Sequence, residues 1–382
     1  MTSSLHQPIH TVYGGAHLFK STTCSRLGAL AQKAFHDYAP DAATVAKIFG
    51  IDGLENMVHA RVTEKLGREP IEDYRIDFED GFGVRSDAEE DAAADNAARE
   101  VSAAAKAKSL PAMFGIRVKS FHSKVTRARA TRTLDRFLSQ ATLPPNFVVT
   151  LPKITAPEQV AELIEALRPY PSVRIEIMVE TPESVFILPK LLEAAQGKCV
   201  AAHFGAYDYT SSLGITAAHQ TLHHPACEFA RSMMLASLAG TGVWLADGAT
   251  NVLPIPPAVH HGWKLHYANV RHALYNGFYQ GWDLHPAQIP ARLVAVYAFF
   301  LEGLEEASSR LRNFIDKAAQ ATRVGAIFDD AATGQGLLNY FLRALRCGAI
   351  PESDIPALTG LTVAELGSTF DRILADRRRV PS

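Results

Sequence analysis

The chain has 382 residues, with 38 Lys or Arg and 40 Asp or Glu, so its formal net charge at pH 7 is −2. A near-neutral chain without a basic block lacks the positive surface that neutralises nucleic-acid phosphates, and this excludes nucleic acid as an expected partner. The length fits two or three domains of about 150 residues each, or one barrel of about 250 residues with about 130 residues of additions.

The cysteines and the N-terminal residues indicate the compartment. The four cysteines lie far apart and form no CxxC pair, so they predict neither a disulfide scaffold nor a cysteine zinc site. The N-terminal residues lack a charged start followed by an apolar stretch, and no run of about 18 apolar residues occurs in the sequence. We therefore expect a soluble cytoplasmic protein without a membrane partner.

Short β-branched runs alternate along the chain with longer segments of helical periodicity, which is the pattern of parallel strands joined by helices. Strands are predicted at residues 10–15, 75–80, 114–119, 147–153, 174–180, 200–205, 243–247 and 282–285. Helices are predicted between them at residues 87–108, 131–140, 157–167, 182–196, 227–239 and 258–279. This alternation predicts an α/β protein with a closed (β/α)₈ barrel.

Two segments fall outside the regular alternation. The segment 18–74 is too long for a simple connection between strands, and a helical pattern continues after the last strand. Helices are predicted in these segments at residues 25–36, 41–49, 287–322, 334–346 and 362–377. We therefore predict a barrel domain over residues 1–309, with a helical insertion at 18–74. A C-terminal helical extension over 310–382 is expected to take part in oligomer contacts.

Ionisable residues stand at the ends of most predicted strands. They are Asp77, Glu79, Asp80, Arg117, Lys119, Lys153, Glu180, Asp208, Asp247 and His285. The C-terminal strand ends of such a barrel build its active site, and a partly buried charge must be paired or liganded. These residues therefore predict one functional cleft, in which Lys153, Glu79 and Asp247 are candidate substrate-binding residues.

Two carboxylates end neighbouring strands and are candidate metal ligands. Glu180 closes the apolar run IEIMVE, and Asp208 follows HFGAY. Mg²⁺ binds through one or two carboxylates and keeps its other positions for water or substrate. An alternative stays open: each carboxylate caps the following helix or pairs with a Lys or Arg at a strand end.

Arg117 lies within the apolar strand GIRVKS, where a guanidinium needs a fixed anionic partner. That partner is either a substrate carboxylate or enolate, or a carboxylate of the segment DFEDG. On an extended strand Asp77 and Glu79 point to one face and Asp80 points to the other. The three acids are therefore not expected to share one role.

A rival metal site is conceivable at His219, His223 and His224. The i, i+4 spacing would put His219 and His223 on one face of a helix. The segment lacks the glutamate of an HExxH motif, so we expect these histidines to be surface or core residues. The sequence also lacks GxxxxGK[ST], GxSxG and GxGxxG, which removes the main support for P-loop, α/β-hydrolase and Rossmann enzymes.

Seven short segments, in this order, resemble the citrate lyase β-subunit family, within the HpcH/HpaI aldolase and malyl-CoA lyase group. They are DFEDG (77–81), GIRV (115–118), LPKI (151–154), VETPES (179–184), HFGAYDYTSSLG (203–214), LHPAQI (284–289) and GAIFDD (325–330). The resemblance implies a TIM barrel of the phosphoenolpyruvate/pyruvate-binding type. It further implies a carbon–carbon lyase that uses Mg²⁺, or Mn²⁺, to cleave a 3-hydroxy acid or its CoA thioester through a metal-stabilised enolate.

The resemblance also implies roles for individual residues. Glu180 and Asp208 match the metal ligands, and Arg117 matches the substrate-binding arginine of the catalytic centre. Asp77 and Asp80 match the acids that support the metal water and the arginine. Family members form trimers or hexamers, in which an acid matching Asp329, or its neighbour Asp330, reaches into the site of another subunit.

The proton acceptor and the reaction direction stay open at the level of the sequence. The base is either a metal-bound water or Asp329 of a neighbouring subunit. One alternative function is a malate-synthase-like condensation, or hydrolysis of an acyl-CoA thioester, on the same barrel. Another is a barrel that binds an organic acid without turnover. The identity of the acid and the need for CoA are not predicted.

Overall fold

All eight predicted strands form and close a barrel. Each strand is parallel to its neighbours in chain order, and β8 pairs with β1. The strands are β1 (His10–Gly15), β2 (Asp73–Asp77), β3 (Met113–Arg117), β4 (Phe147–Leu151), β5 (Arg174–Val179), β6 (Cys199–Phe204), β7 (Trp244–Asp247) and β8 (Gln280–Asp283). The predicted (β/α)₈ architecture is therefore confirmed.

The structure is a computed structural model that describes residues 6–317, 322–324, 327–329, 331–368 and 372–373. Its contacts divide the chain into two compact units. The first comprises Met1–Tyr38 and Leu66–Ala291 and contains the whole barrel, and the second comprises Ala39–Lys65 and Arg292–Ser382. The division after Ala291 precedes the predicted domain limit at residue 309, and it separates parts of the predicted insertion.

Helices follow the strands as the alternation predicts. From the N-terminus to the end of the barrel they are α1 (Thr23–Tyr38), α2 (Ala42–Phe49), α3 (Glu55–Arg68), α4 (Asp87–Ala107), α5 (Lys124–Leu138), α6 (Pro157–Ala166), α7 (Pro182–Phe186), α8 (Leu188–Ala194), α9 (Ala206–Ser212), α10 (Pro225–Leu238) and α11 (Val259–Tyr275). Helix α4 begins at a capping box, in which Ser86 and Glu89 satisfy each other's backbone N–H groups.

After the barrel the described residues form α12 (Ile289–Glu302), α13 (Leu304–Asp316), the antiparallel strands β9 (Thr322–Val324) and β10 (Ile327–Asp329), and α14 (Ala331–Arg346), α15 (Ile355–Thr359) and α16 (Val363–Leu366). No single helix among the described residues is long and apolar enough to cross a membrane. The bent pair Pro286–Glu302 and Leu304–Asp316 has the length and composition only when taken together.

Two predicted helices are each broken into two, so those predictions are wrong. The predicted helix 287–322 breaks at Gly303, between α12 and α13. Glycine loses more backbone entropy than any other residue when it is fixed in a helix, so a break at this position is expected to cost least. The predicted helix 182–196 breaks at Ile187. Pro189 lies in the first turn of α8, where its missing N–H group leaves no hydrogen bond unmade.

Polar side chains fill the middle of the barrel above an apolar base. Arg75 is fully buried and forms ion pairs with Asp73 and, at 2.8 Å, with Glu176. Thr150 donates a hydrogen bond of 2.8 Å to the same glutamate. Below them Met113, Val148, Val200 and Ala201 form an apolar cluster. Buried charges persist only when they are paired, so this network is a fixed support for the residues at the strand ends.

Gly115 provides a test of the barrel packing. A Cβ at this position of β3 would lie 1.9 Å from the carbonyl oxygen of Val148 on the neighbouring strand. Gly115→Ala is therefore expected to lower the free energy of unfolding by about 3 kcal/mol, because the strands must separate to admit the methyl group. Urea unfolding followed by circular dichroism measures the change.

Gly67→Ala is the matched control. A Cβ there would lie 3.9 Å from the nearest atom, the Nε2 of Gln32, and the residue is in a helix. This substitution should raise the free energy of unfolding by about 0.5–1 kcal/mol. Equal stability of Gly115→Ala and the unsubstituted protein would contradict the register of β3 and β4.

Candidate functional site

The segment DFEDG leaves the barrel at Asp77, the last residue of β2. The Asp77 carboxylate accepts hydrogen bonds from the backbone N–H groups of Glu79 (2.9 Å) and Gly81 (2.7 Å). A Cβ at Gly81 would lie 2.6 Å from Oδ2 of Asp77, so only glycine allows the chain to turn this closely. One carboxylate therefore ends the strand and shapes the loop after it.

Arg117, the last residue of β3, is held by the same carboxylate. Its Nε and Nη2 atoms donate to the two oxygens of Asp77 at 2.8 and 2.6 Å, and both side chains are buried. Such a bidentate pair fixes the plane of the guanidinium as well as its position. Of the two partners left open for Arg117, the structure contains the carboxylate of DFEDG.

The expectation that Asp80 points away from Glu79 is wrong. The strand ends at Asp77, so alternation between faces does not extend to the next acids. Both approach Nη1 of Arg117, Glu79 at 3.4 Å and Asp80 at 3.6 Å. Burial raises the pKa of Glu79 to about 7, although the charge of Arg117 opposes this rise.

Lys153 joins the acids of two loops. Its Nζ atom contacts Glu79, lies 2.8 Å from Asp80 and lies 4.0 Å from Asp208. The residue has a φ of 51°, a conformation that costs a non-glycine residue about 1–2 kcal/mol. In this conformation its backbone N–H donates to Oε1 of Glu180 at 2.6 Å, so backbone and side chain both serve the cleft.

Glu180 follows β5 and is buried. Burial, followed by the negative charges of Asp208 and Glu79, raises its pKa to about 8, and the charge of Arg117 only partly offsets them. The carboxylate packs against Gly205, where a Cβ would lie 2.3 Å from Oε2. This acid therefore stands in a space that only glycine leaves open, and it lacks a full counter-charge.

The helix-capping alternative for Glu180 is wrong. Thr181 caps α7, because its Oγ1 accepts from the backbone N–H of Ser184 at 3.1 Å. Asp208 lies in the first turn of α9 and is half exposed, with Lys153 as its distant cation. Burial raises the pKa of Asp208, while Lys153 lowers it in part.

The donor set fits Mg²⁺. Two carboxylates follow neighbouring strands of the barrel, and burial raises the pKa of both, with the charge of Asp208 raising that of Glu180 further. A small divalent cation prefers oxygen ligands of this kind and keeps room for water or a bound acid. Glu180 and Asp208 are therefore the residues that could hold such an ion.

An aromatic floor, made of Tyr13 and Trp282, lies beneath Arg117 and was missed from the sequence. The two rings are 4.3 Å apart, and the guanidinium carbon lies 5.1 and 5.7 Å from their centres. Tyr13 donates to Glu176 at 2.9 Å, and Nε1 of Trp282 donates to Nδ1 of His203 at 2.8 Å.

Three predicted strand-end residues have other partners. Asp247 is buried and pairs with Arg231 at 3.0 Å. Lys119 donates to the backbone carbonyl of Phe78 and lies 3.3 Å from Glu90. His285 accepts from the N–H of Ala287 through Nδ1, and burial lowers its pKa.

The candidates beyond the barrel cannot be placed at the cleft. The backbone of Asp329 belongs to β10, in the second compact unit, and its side chain is not among the described ones. Asp330 lies outside the described residues. A role for either residue stays a prediction.

Comparisons with known proteins agree with this architecture. Residues 2–373 match the model of a family described as a domain of unknown function, DUF6986. Comparison with curated proteins finds no similar sequence. A solved citrate lyase from Burkholderia xenovorans LB400 is 19% identical, with a TM-score of 0.65 over 94% of this chain and 98% of that one.

A second solved structure is the protein CitE from Mycobacterium tuberculosis in complex with magnesium, acetoacetate and coenzyme A. It is 17% identical, with a TM-score of 0.55 over 89% of this chain and 98% of that one. At these identities the similarity shows the fold. The resemblance of the sequence to the citrate lyase β-subunit family is confirmed at that level.

The raised pKa of Glu180 predicts how the stability of the metal-free protein depends on pH. Between the ordinary value of 4.5 and about 8, this carboxyl is protonated in the folded protein and ionised in the unfolded one. The unfolded state then binds fewer protons, so rising pH lowers the free energy of unfolding by up to about 1.4 kcal/mol per unit. Stability from this group is full below 4.5, falls up to about 8, and is then constant.

Glu180→Gln removes the titration. The test is urea unfolding with a chelator present, from about pH 5 to about pH 9. The free energy of unfolding of the variant should lack the fall with pH caused by Glu180, so its stability relative to the unsubstituted protein should rise up to about pH 8. Glu183→Gln, three residues away and exposed, is the control and should follow the unsubstituted protein. Equal slopes for both variants would show that Glu180 has an ordinary pKa.

Proposed function

The chain belongs to the DUF6986 family, and we propose that its barrel is a Mg²⁺-dependent carbon–carbon lyase. The substrate class is a 3-hydroxy acid or its CoA thioester. The observation that carries the proposal is that an undercompensated buried carboxylate, Glu180 after β5, and a rigidly held guanidinium, Arg117 at the end of β3, lie at the same end of the barrel. A cleft of this kind binds a cation and an anionic oxygen side by side.

The metal would be held by Glu180 and Asp208, and Mn²⁺ is a substitute with the same ligand preference. When bound, the ion supplies a Lewis acid and a template for the two adjacent oxygens of a 2-oxo acid. Lys153 positions the two metal ligands. Its backbone N–H binds Glu180, and its ammonium group neutralises the acids of the DFEDG loop.

Arg117 supplies the positive charge for oxygens that become negative as the carbon–carbon bond breaks. Asp77 occupies Nε and Nη2, and the remaining donors of Nη1 face the cleft near Glu79 and Asp80. Because the guanidinium is held before substrate arrives, little reorganisation is needed during the reaction. The ring of Tyr13 lies against the guanidinium, 5.1 Å from its carbon atom.

Proton transfer requires a group whose pKa lies near neutrality. Glu79, with a pKa raised to about 7, is such a group within the described cleft. Asp329 of a neighbouring copy, one of the two options left open by the sequence, is a further candidate, and it would make a homo-oligomer, a trimer or a hexamer, necessary for activity. The cytoplasmic location stays a prediction.

The substrate class is supported by the structural relatives. One relative is a citrate lyase, and another was solved with magnesium, acetoacetate and coenzyme A. A short 2-oxo acid has the negative charge that both a bound cation and Arg117 would attract. Turnover is favoured over binding alone because a bidentate partner fixes the orientation of the arginine. Attraction of an anionic ligand by charge alone would not require that orientation.

Substitution of the metal ligands tests the proposal. Glu180→Ala and Asp208→Ala should each abolish Mg²⁺ binding, measured by calorimetry, and cleavage of the substrate, because each removes one of the two proposed protein ligands. Glu183→Ala, an exposed carboxylate in the next helix, should keep both. Metal-dependent cleavage that persists in either ligand variant would contradict the proposal.

The assay for cleavage uses Mg²⁺ and a panel of 3-hydroxy acids, free and as CoA thioesters, with detection of pyruvate, glyoxylate or oxaloacetate. Product from any member supports the lyase, and activity on free acids alone rejects the CoA requirement. Condensation or thioester hydrolysis without cleavage would assign the malate-synthase-like alternative to this site. Binding without any product would identify an organic-acid-binding barrel.

Arg117→Lys separates transition-state stabilisation from metal binding. Lysine cannot form the bidentate pair with Asp77, so kcat should fall by about 10²–10³-fold, the range seen when one charge-stabilising donor is lost. Mg²⁺ affinity should be unchanged. Arg85→Lys is the control, since that arginine lies over Phe82 outside the acid cluster. Unchanged kcat in Arg117→Lys would contradict the assigned role.

A further inference from the structure

A second group of ligand-type side chains lies away from the strand-end cleft. It consists of His223, Glu228 and His272, and one ligand atom of each lies within 4.8 Å of the others. Within the part of the chain that the structure describes, no other set of His, Cys, Asp or Glu side chains meets this distance. The group joins the beginning of α10 to the last turn of α11.

The local fold differs from the predicted pairing of histidines. His219 ends a short 3₁₀ turn and α10 begins at Pro225, so His219 and His223 do not share a helix face. His224 caps α10 instead, with Nδ1 accepting from the N–H of the second helical residue at 3.1 Å. The neighbour of His223 is His272, whose ring centre is 4.4 Å away and 49 positions later in the chain.

Partners outside the group hold its members in place. The side-chain N–H of Asn269 donates to Thr250 at 2.9 Å, which turns its Oδ1 to within 2.9 Å of Nε2 of His223. Residues that orient ligands in this way are a regular part of metal sites, because they fix the ring before the ion arrives.

The carboxylate is oriented as firmly as the rings. Oε1 of Glu228 lies 2.7 Å from Nε2 of His272 and 2.6 Å from Nη2 of Arg231. Arg231 is itself buried and paired with Asp247 at the end of β7. A chain of contacts therefore runs from His272 through Glu228 to the wall of the barrel.

We propose that His223, Glu228 and His272 bind a zinc-class divalent ion that is distinct from the Mg²⁺ of the cleft. Two imidazoles and one carboxylate are a ligand set that Zn²⁺ accepts, whereas Mg²⁺ prefers oxygen ligands alone. His223 is exposed and the other two are partly buried, so water has access to the fourth position.

The ion would act as a clamp between two helices. It links the segment before α10 to the far end of α11, and through Arg231 it supports the end of β7. The competing interpretation is a histidine–glutamate ion pair without a metal.

The test uses the full chain after treatment with a chelator, in a Glu180→Ala, Asp208→Ala background that removes the proposed Mg²⁺ ligands. Zn²⁺ is titrated against a chromophoric competitor, and Co²⁺ is used as a visible-absorption probe. One Zn²⁺ per chain should bind and resist displacement by excess Mg²⁺. Co²⁺ should give the strong d–d absorption of a four-coordinate site.

Single-ligand variants locate the ion. His223→Ala and His272→Ala should each lower the Zn²⁺ affinity by more than about 100-fold, since loss of a ligand exceeds the 10–100-fold effect of losing its supporting partner. Glu228→Gln keeps the shape of the side chain and should also weaken binding. His219→Ala, close in sequence but outside the group, should leave the affinity unchanged.

Melting curves with a chelator present check that the variants fold. His223 is exposed, so its replacement by alanine should lower the metal-free melting temperature only slightly, through the lost hydrogen bond to Asn269, while removing the Zn²⁺-induced rise. The proposal is overturned if the background protein binds Zn²⁺ no more tightly than its His223→Ala, His272→Ala derivative. It is equally overturned if Mg²⁺ displaces the ion, or if His219→Ala abolishes binding.

Discussion

The bidentate ion pair between Asp77 and Arg117 is the interaction on which the cleft depends. One carboxylate ends β2, turns the loop through two backbone N–H groups, and fixes the guanidinium on β3. Removing one partner of a buried pair typically costs about 3–5 kcal/mol, because the other is left as an uncompensated charge. Loop shape and arginine position are therefore set by a single side chain.

The remaining charges around this pair do not balance. The ammonium group of Lys153 pairs with Glu79, Asp80 and Asp208, and Arg117 also approaches the first two. Glu180 accepts a hydrogen bond from the backbone N–H of Lys153. Burial is the main cause of the raised pKa values of Glu79 and Glu180, and the neighbouring carboxylates Asp80 and Asp208 add to it. A divalent cation would remove the excess at the site where an organic acid must bind, which links the electrostatics of the cleft to its proposed chemistry.

The strands and the acids at their ends could be predicted because both depend on local patterns. Alternating β-branched runs mark the barrel, and in a barrel the strand ends converge. The exact strand limits could not be predicted. Strand β2 ends at Asp77 rather than at residue 80, because the Asp77 carboxylate binds the backbone N–H of Gly81 in the loop that follows. The break at Gly303 was equally hidden, because a helical pattern continues on both sides of it.

Features formed by residues that are far apart in the chain could not be predicted from the sequence. The floor joins Tyr13 of the first strand to Trp282 of the last, which become neighbours only when the barrel closes. His223 and His272 likewise meet only through the packing of α10 and α11. Such contacts follow from tertiary structure, whereas composition and spacing report on single elements.

The central claim is that the acids at the strand ends hold a divalent ion beside Arg117. The most direct test is a crystal structure of the protein with Mn²⁺ and a 2-oxo acid, with the ion located by anomalous scattering. We predict one peak within about 2.2 Å of carboxylate oxygens of both Glu180 and Asp208, with the acid between the ion and Arg117. A cleft in which no ion contacts these two carboxylates would contradict the account.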